Sequence, residues 1–229
     1  LPFLLENTPS VVVHADAGIG VGYTGIRIRG TDATRINFTL NGIPYNDAES
    51  MGTFFVNIPD FGSSVNSIQI QRGVGSSSNG AAAFGASLNM LTDNYSKTSS
   101  GEISNSGGSF NSRKNTVKFS TGLMNSGTSS AQGFEIAGRM SVLKSDGYID
   151  RASSDLKSYF LQGTYVEKNT LIKALVFGGK EKTYQAWNGI SEDILNTGNR
   201  THNDFAYPNQ TDNYQQDHYQ LHFSHKLSL

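Results

Sequence analysis

Cysteine is absent and proline scarce, with five prolines in 229 residues. The missing thiols remove disulfide staples, thiolate metal sites and thiol nucleophiles together, while leaving the redox compartment open. An excess of either charge is also lacking. The 18 basic and 19 acidic residues leave a net charge of −1, so nothing electrostatic favours nucleic acid as a partner. No apolar run reaches the roughly 18 residues of a membrane helix, and no charged-then-apolar leader opens the chain. What is abundant is glycine, at 25 residues, with serine, asparagine and threonine around it. A membrane protein of the β type stays compatible with this composition. Its strands need only about 9–11 residues each, and they alternate rather than run apolar.

The stretch GVGYTGIRIRG carries Gly20-x-Gly22-x-x-Gly25, the spacing of a dinucleotide-binding loop. That loop requires a helix directly behind it, whose N-terminus receives the pyrophosphate. Here Ile26-Arg27-Ile28-Arg29 alternates like a strand, so the context fails. These glycines read instead as a flexible loop and a close backbone approach before a buried strand. Metal chemistry fares no better. His218 and His222 would lie about 13 Å apart on a strand rising roughly 3.4 Å per residue, too far to share an ion. His202 and His225 lack a partner at usable spacing, and Asp47 with Glu49 offers too few oxygens for calcium. No nucleophile elbow and no carboxylate pair stands out. No catalytic residue, metal ligand or cofactor is therefore predicted.

The sequence changes character near residue 95. Before it, LPFLLEN (1–7) has helical spacing, VVVH (11–14) is β-branched, and INFTLNGIPY (36–45) reads as two strands about an Asn41-Gly42 turn. SIQIQRG (67–73) and ASLNMLT (86–92) add further strands, with a turn expected over 73–80. This predicts a small mixed α/β unit. From Gly101 onward, six long alternating segments take over: 101–110, 113–124, 133–147, 156–168, 170–184 and 217–227. In the last, Tyr219, Leu221, Phe223 and Leu227 share one face while His218, Gln220, His222, Ser224 and Lys226 share the other. Strands of soluble sandwiches average nearer five or six residues. Long strands with one apolar and one polar face favour the wall of a membrane barrel. A polar loop is predicted over 185–216, against short turns at 125–130 and 167–169, an asymmetry that barrels share.

Four blocks in order, IRIRG (26–30), LNGIPYND (40–47), NIPDFGSSVNSIQIQRG (57–73) and SNGAAAFGASLNMLT (78–92), resemble the plug domain of TonB-dependent outer-membrane receptors. LPFLLENTPSVVV resembles the opening of that plug, and GSFNSRKNTVKFSTG and SDGYID resemble the first barrel strands of the same family. Val74, Ser78-Asn79 and Gly85-Ala86 depart from the family pattern at turns. The resemblance implies a plug over 1–94 and, over 95–229, the first six strands of a transmembrane barrel of about 22. It implies a coupling box upstream, further strands downstream, and a place in the outer membrane of a Gram-negative bacterium. The activity implied is TonB-driven import of a scarce nutrient: an iron chelate, haem or cobalamin ahead of a glycan or peptide. Implied partners are the TonB protein, outer-membrane lipid and the nutrient, with a surface lipoprotein left open. A soluble or surface-anchored adhesin that binds sugar is the competing reading.

Site residues follow from the same resemblance. Arg29 and Arg72, each before a glycine at a strand exit, resemble the arginines that anchor a plug to barrel-wall glutamates; the plain alternative is two exposed strand-end charges. Asn46, Asp47, Glu49 and Ser50 fall in the segment resembling the plug's apical loop, where substrate contact competes with mere solvation. Gln185, Trp187 and Asn188, beside Tyr184, open the long loop and could reach a ligand, or could belong to an interfacial aromatic belt. The barrel and adhesin readings separate in a simple experiment. Residues 101–229 expressed alone should aggregate in buffer on size-exclusion chromatography and stay dispersed only in detergent, because they expose apolar faces and an open edge. A soluble, monodisperse product would favour the adhesin.

Overall fold

The computed structural model describes residues 1–74, 83–125 and 132–227. The turns expected over 73–80 and 125–130 fall mostly outside the described residues. The first part of the chain is built from short strands. A 3₁₀ turn at Pro2–Leu5 leads to β1 (Val11–Ala15), which pairs antiparallel with β2 (Thr24–Ile28). Next come β3 (Ile36–Leu40), β4 (Ile43–Pro44), β5 (Ser67–Arg72) and β6 (Ala86–Leu91), forming one sheet in the order β4-β3-β6-β5. The sheet is mixed: β3 runs parallel to β6, while its other pairs are antiparallel. Asn41 and Gly42 both take positive φ, 52° and 82°, as a tight hairpin between β3 and β4 requires. The expected helical turns are all 3₁₀ among the described residues, at Pro2–Leu5, Ala33–Arg35, Phe55–Asn57 and Phe61–Ser64.

The remainder is one antiparallel sheet. Its strands are β7 (Ser100–Gly108), β8 (Ser112–Ser120), the short β9 (Met124–Asn125), β10 (Gly133–Ser145), β11 (Ser154–Glu167), β12 (Thr170–Tyr184) and β13 (Thr211–His225). Neighbours in sequence pair in the order β13-β12-β11-β10-β8-β7, with β9 on β10. All six long strands expected from alternation are present. The last begins at Thr211 rather than residue 217, so the long connection shortens to 185–210 and contains the only α-helix among the described residues, α1 (Glu192–Asn196). Alternation fails as a boundary signal there because TDNYQQ is polar on both faces.

Alternation decides what each face of this wall meets. On β11 every even residue from Ser154 to Val166 is buried and every odd one is more exposed. The outward set includes Met140, Leu161, Tyr219, Leu221 and Phe223, all exposed. Together they form a broad apolar surface of the kind a monomer in water seldom shows. The inward set is mostly polar, with Glu135, Arg139, Ser141, Ser158, Gln162, Thr164, Lys173 and Glu181 all buried. Against this inner face sits the small sheet unit, and the two share one apolar core. Ile26, Ile28, Phe38, Leu88 and Met90 of the small unit belong to the same cluster as Phe160, Leu175 and Phe177 of the wall. Phe61 is the joint, with ring centroids 4.9 Å from Phe177 and 6.2 Å from Phe160. Gly179 is required opposite it, since a Cβ there would collide with Pro59.

Phe61→Ala should therefore cost about 3–5 kcal/mol of stability, as for other buried aromatic truncations. Met140→Ala on the outer face should change denaturant unfolding in detergent far less. Equal losses would mean that the shared core is not what holds the two parts together.

Candidate functional site

Asp60 stands at the centre of the contact between the two parts. It occupies a left-handed conformation, φ 54°, at the start of the Phe61–Ser64 turn, which turns its carboxylate toward the wall. Lys114 of β8 reaches its Oδ1 at 2.5 Å and Arg139 of β10 reaches its Oδ2 at 3.1 Å. Ser141 donates a short hydrogen bond to Oδ2, and Ser63 donates to Oδ1 at 2.6 Å. Arg139 is itself held by Ser64, Ser141 and Ser158, at 2.7–3.0 Å. Burial alone would raise the Asp60 pKa; the hydrogen bonds from Lys114, Ser141 and Ser63 and the Arg139 charge overcome it and hold the carboxylate below its ordinary value. A second tie fastens the chain leaving the small sheet. Gln162 and Lys173 both donate to the Asp93 carbonyl, at 3.0 and 3.3 Å, and Thr164 donates to that of Asn94 at 2.9 Å.

Where the small sheet, β12 and β13 meet near the long connection lies a cavity of about 360 Å³. Tyr23, Tyr45, Asp47, Glu181, Asp212 and Tyr214 are among its walls. Glu181 is 2% exposed; its Oε1 accepts from the Tyr23 hydroxyl at 3.3 Å, and its Oε2 has no hydrogen-bond partner among the described residues. Burial, then the Glu181 charge, pushes the Tyr23 phenol upward, so it remains a donor. No lysine or arginine is among the lining residues.

The residues singled out by sequence divide into groups. Asn46 braces the apical loop: it accepts from Phe38 N at 2.7 Å and donates to Ile36 O and Met51 O at 2.9 and 2.8 Å. Asp47 caps the same loop, accepting from Ser50 N at 2.7 Å, from the Ser50 hydroxyl at 2.9 Å and from Glu49 N at 3.1 Å. Those bonds lower its pKa. Glu49 and Ser50 are exposed. Gln185 donates to Asp212 at 3.2 Å and so reaches the cavity through that carboxylate. Trp187 packs edge-on against Phe205, centroids 5.2 Å apart, and Asn188 is exposed. The long connection is itself fastened down: Arg151 donates to the carbonyls of Asn203 and Phe205, and Asn203 to those of Asp150 and Gln185. Arg72 donates to Pro9 O at 3.1 Å, and Arg29 packs beside Gly73; neither forms an ion pair among the described residues. Sequence reasoning missed Asp60, Glu181 and Arg139. Asp60 lay inside a recognised block, but nothing local said that it would be buried, and Glu181 sits among lysines that read as a solvated edge. In the glycine motif, Gly25 is the second residue of β2 and leaves room for the His14 ring, with no helix following. No group of histidine and acidic residues able to hold a metal occurs among the described residues.

The family model TonB-dependent Receptor Plug Domain matches residues 2–87. This chain carries a TonB-dependent receptor plug. Its fold is a mixed plug sheet followed by an antiparallel sheet that matches part of a receptor barrel. The ferric-catecholate import receptor Fiu from E. coli K12, open form, superposes with TM-score 0.72 at 17% identity over 100% of this chain and 34% of that one. FpvA of P. aeruginosa bound to a heterologous pyoverdine gives TM-score 0.66 at 13% identity, covering 95% and 28%. The copper transporter OprC gives 0.64 at 14% identity, covering 80% and 28%. At such identities the likeness establishes fold alone, and the chain spans about a third or less of each neighbour. No curated protein matches it in sequence.

The plug–wall network makes a pH prediction. Asp60 titrates below its ordinary 3.8 when folded, so its stabilisation is complete above that value and is lost as pH falls through the folded pKa. Asp60→Asn should cost about 3–5 kcal/mol at pH 7, because it strands Arg139 in a buried site. The variant should also lose part of the acid-limb steepness. Denaturant unfolding at pH 7 and below about pH 4 measures both; an unchanged acid limb would remove Asp60 from the account.

Proposed function

We propose that this protein takes part in TonB-dependent import of a scarce nutrient across the outer membrane of a Gram-negative bacterium, residues 1–94 gating the barrel that residues 95–229 begin. One observation carries the reading: a plug domain lies on the polar face of a strand wall whose other face is apolar. A plug that must shift to open a path needs a wall it can slide along. Ser141, Gln162 and Thr164 provide exchangeable hydrogen bonds there, while Asp60 with Arg139 fixes the resting position.

The cargo is an iron chelate, haem or cobalamin, met first at the cavity beside the long connection. Asp47, Glu49 and Ser50 reach it from the plug, Gln185, Trp187 and Asn188 from the loop, and Asn46 holds the apical loop in shape. Arg29 and Arg72 anchor the plug to barrel glutamates beyond those present here. TonB supplies the pull, and a surface lipoprotein would cap the pore. The cavity's tyrosines and amides are also residue types that hold sugars, which makes a glycan importer the second reading.

Growth on a sole iron source tests the proposal. The full receptor should support growth of a receptor-deficient host on its ferric chelate only when TonB is intact. Glu181→Gln should weaken chelate binding about tenfold while leaving the protein in the outer membrane. Growth that persists without TonB would refute energy-coupled import, and selective binding of an oligosaccharide would install the glycan reading.

A further inference from the structure

Asn-Gly pairs occur in the sequence at residues 41–42, 79–80 and 188–189. The second lies outside the described residues, and the structure treats the other two in opposite ways. In an Asn-Gly pair the glycine nitrogen can attack the asparagine side chain, because glycine has no Cβ to hinder the approach. The attack then depends on whether the side-chain amide and the following nitrogen are free to meet.

At Asn41-Gly42 they are not. Asn41 Oδ1 accepts from Thr92 N at 2.9 Å and from the Thr92 hydroxyl at 3.2 Å, and its Nδ2 is buried away from solvent. Asn41 N donates to Met90 O at 2.8 Å, and Gly42 N donates to Asn89 Oδ1 at 3.3 Å. Both the amide that would be attacked and the nitrogen that would attack it are therefore committed to β6 and the residue after it.

Asn188-Gly189 has no such ties. Both residues are exposed, in a part of the long connection that is neither helix nor strand. The chain is fastened on either side. Gln185 N donates to Gln210 O at 3.0 Å, Asn203 donates to Gln185 O at 3.0 Å, and Ser191 caps α1. Between these points, from residue 186 to 190, no backbone group forms a hydrogen bond among the described residues, and neither does the Asn188 side chain. A Cβ built on Gly189 would meet nothing within 4 Å.

We propose that Asn188 is a site of spontaneous deamidation in the receptor, and that Asn41, in the same dipeptide, is protected by the hairpin. The Gly189 nitrogen gives up its proton to base and attacks the side-chain carbonyl carbon of Asn188. A nitrogen–carbon bond forms, the bond from that carbon to Nδ2 breaks, and ammonia leaves a succinimide behind. Water opens the ring at either carbonyl, giving aspartate or isoaspartate. The balance is an amide and a water for a carboxylate and ammonium, with no change of oxidation state. The loop gains a negative charge and, in the isoaspartate, a methylene in its main chain. This loop is the one assigned above to cargo, but the chemistry does not rest on that assignment.

The test ages the full receptor in neutral detergent at neutral and mildly alkaline pH. Peptide mapping by mass spectrometry follows each asparagine, and isoaspartyl methyltransferase labelling counts isoaspartate. Conversion at Asn188 should outrun that at Asn41 about tenfold or more, since reaction at Asn41 must first break several hydrogen bonds, each worth roughly a few-fold. It should rise with pH, as the attacking nitrogen loses its proton more often. In guanidinium-unfolded receptor the two rates should converge. Gly189→Ala should suppress conversion at Asn188 without disturbing the fold, because its Cβ points into open space. An Asn188 that converts in guanidinium but not in the folded receptor would overturn the proposal. So would equal conversion of Asn41 and Asn188 in the folded receptor, because the hairpin contacts would then decide nothing.

Discussion

A β-strand has two faces, and in a wall that packs a folded unit against one of them both are committed. Every residue from Ser154 to Val166 answers to that constraint. The outward position is the more exposed one, aromatic or apolar at Tyr159, Leu161 and Tyr165 and charged at Asp155 and Lys157. The inward one must meet a folded domain whose own surface is partly polar, and most of its buried donors and acceptors are matched, Glu181 and Thr183 being exceptions. The rest of the arrangement follows: polar inner residues grouped around the plug's loops, the apolar belt outside, and cations only where the belt ends.

Within that frame the plug is held by two unlike contacts. Phe61 inserts among Phe160 and Phe177, a non-directional attachment that depends on area. Asp60, the residue before it, makes an attachment that depends on geometry, since a buried carboxylate is tolerated only with its charge matched and its lone pairs filled. Placing both on adjacent residues of one turn means that a small rotation there breaks them together.

The cavity near the long connection uses the opposite strategy. Tyr23, Glu181, Asp212 and Asp47 converge without a cationic neighbour, and Glu181 retains an unfilled oxygen in a buried place. Stability alone does not favour such a group, because an unpaired buried carboxylate is costly. Sites that depart from good packing in this way are where function is to be sought.

Much of the fold was legible in the chain itself. Period two over long segments specified the wall strands, β12 to the residue, because burial on one side repeats with the pleat. The Asn41-Gly42 turn specified the β3–β4 hairpin, because two successive positive φ values admit few residue pairs. The start of β13 was not legible, since TDNYQQ offers no contrast between faces. Nor was the pairing of Asp60 with Arg139, 79 residues apart. Local sequence states which groups want partners; only the folded chain, by bringing distant strands to one register, decides which partners they get.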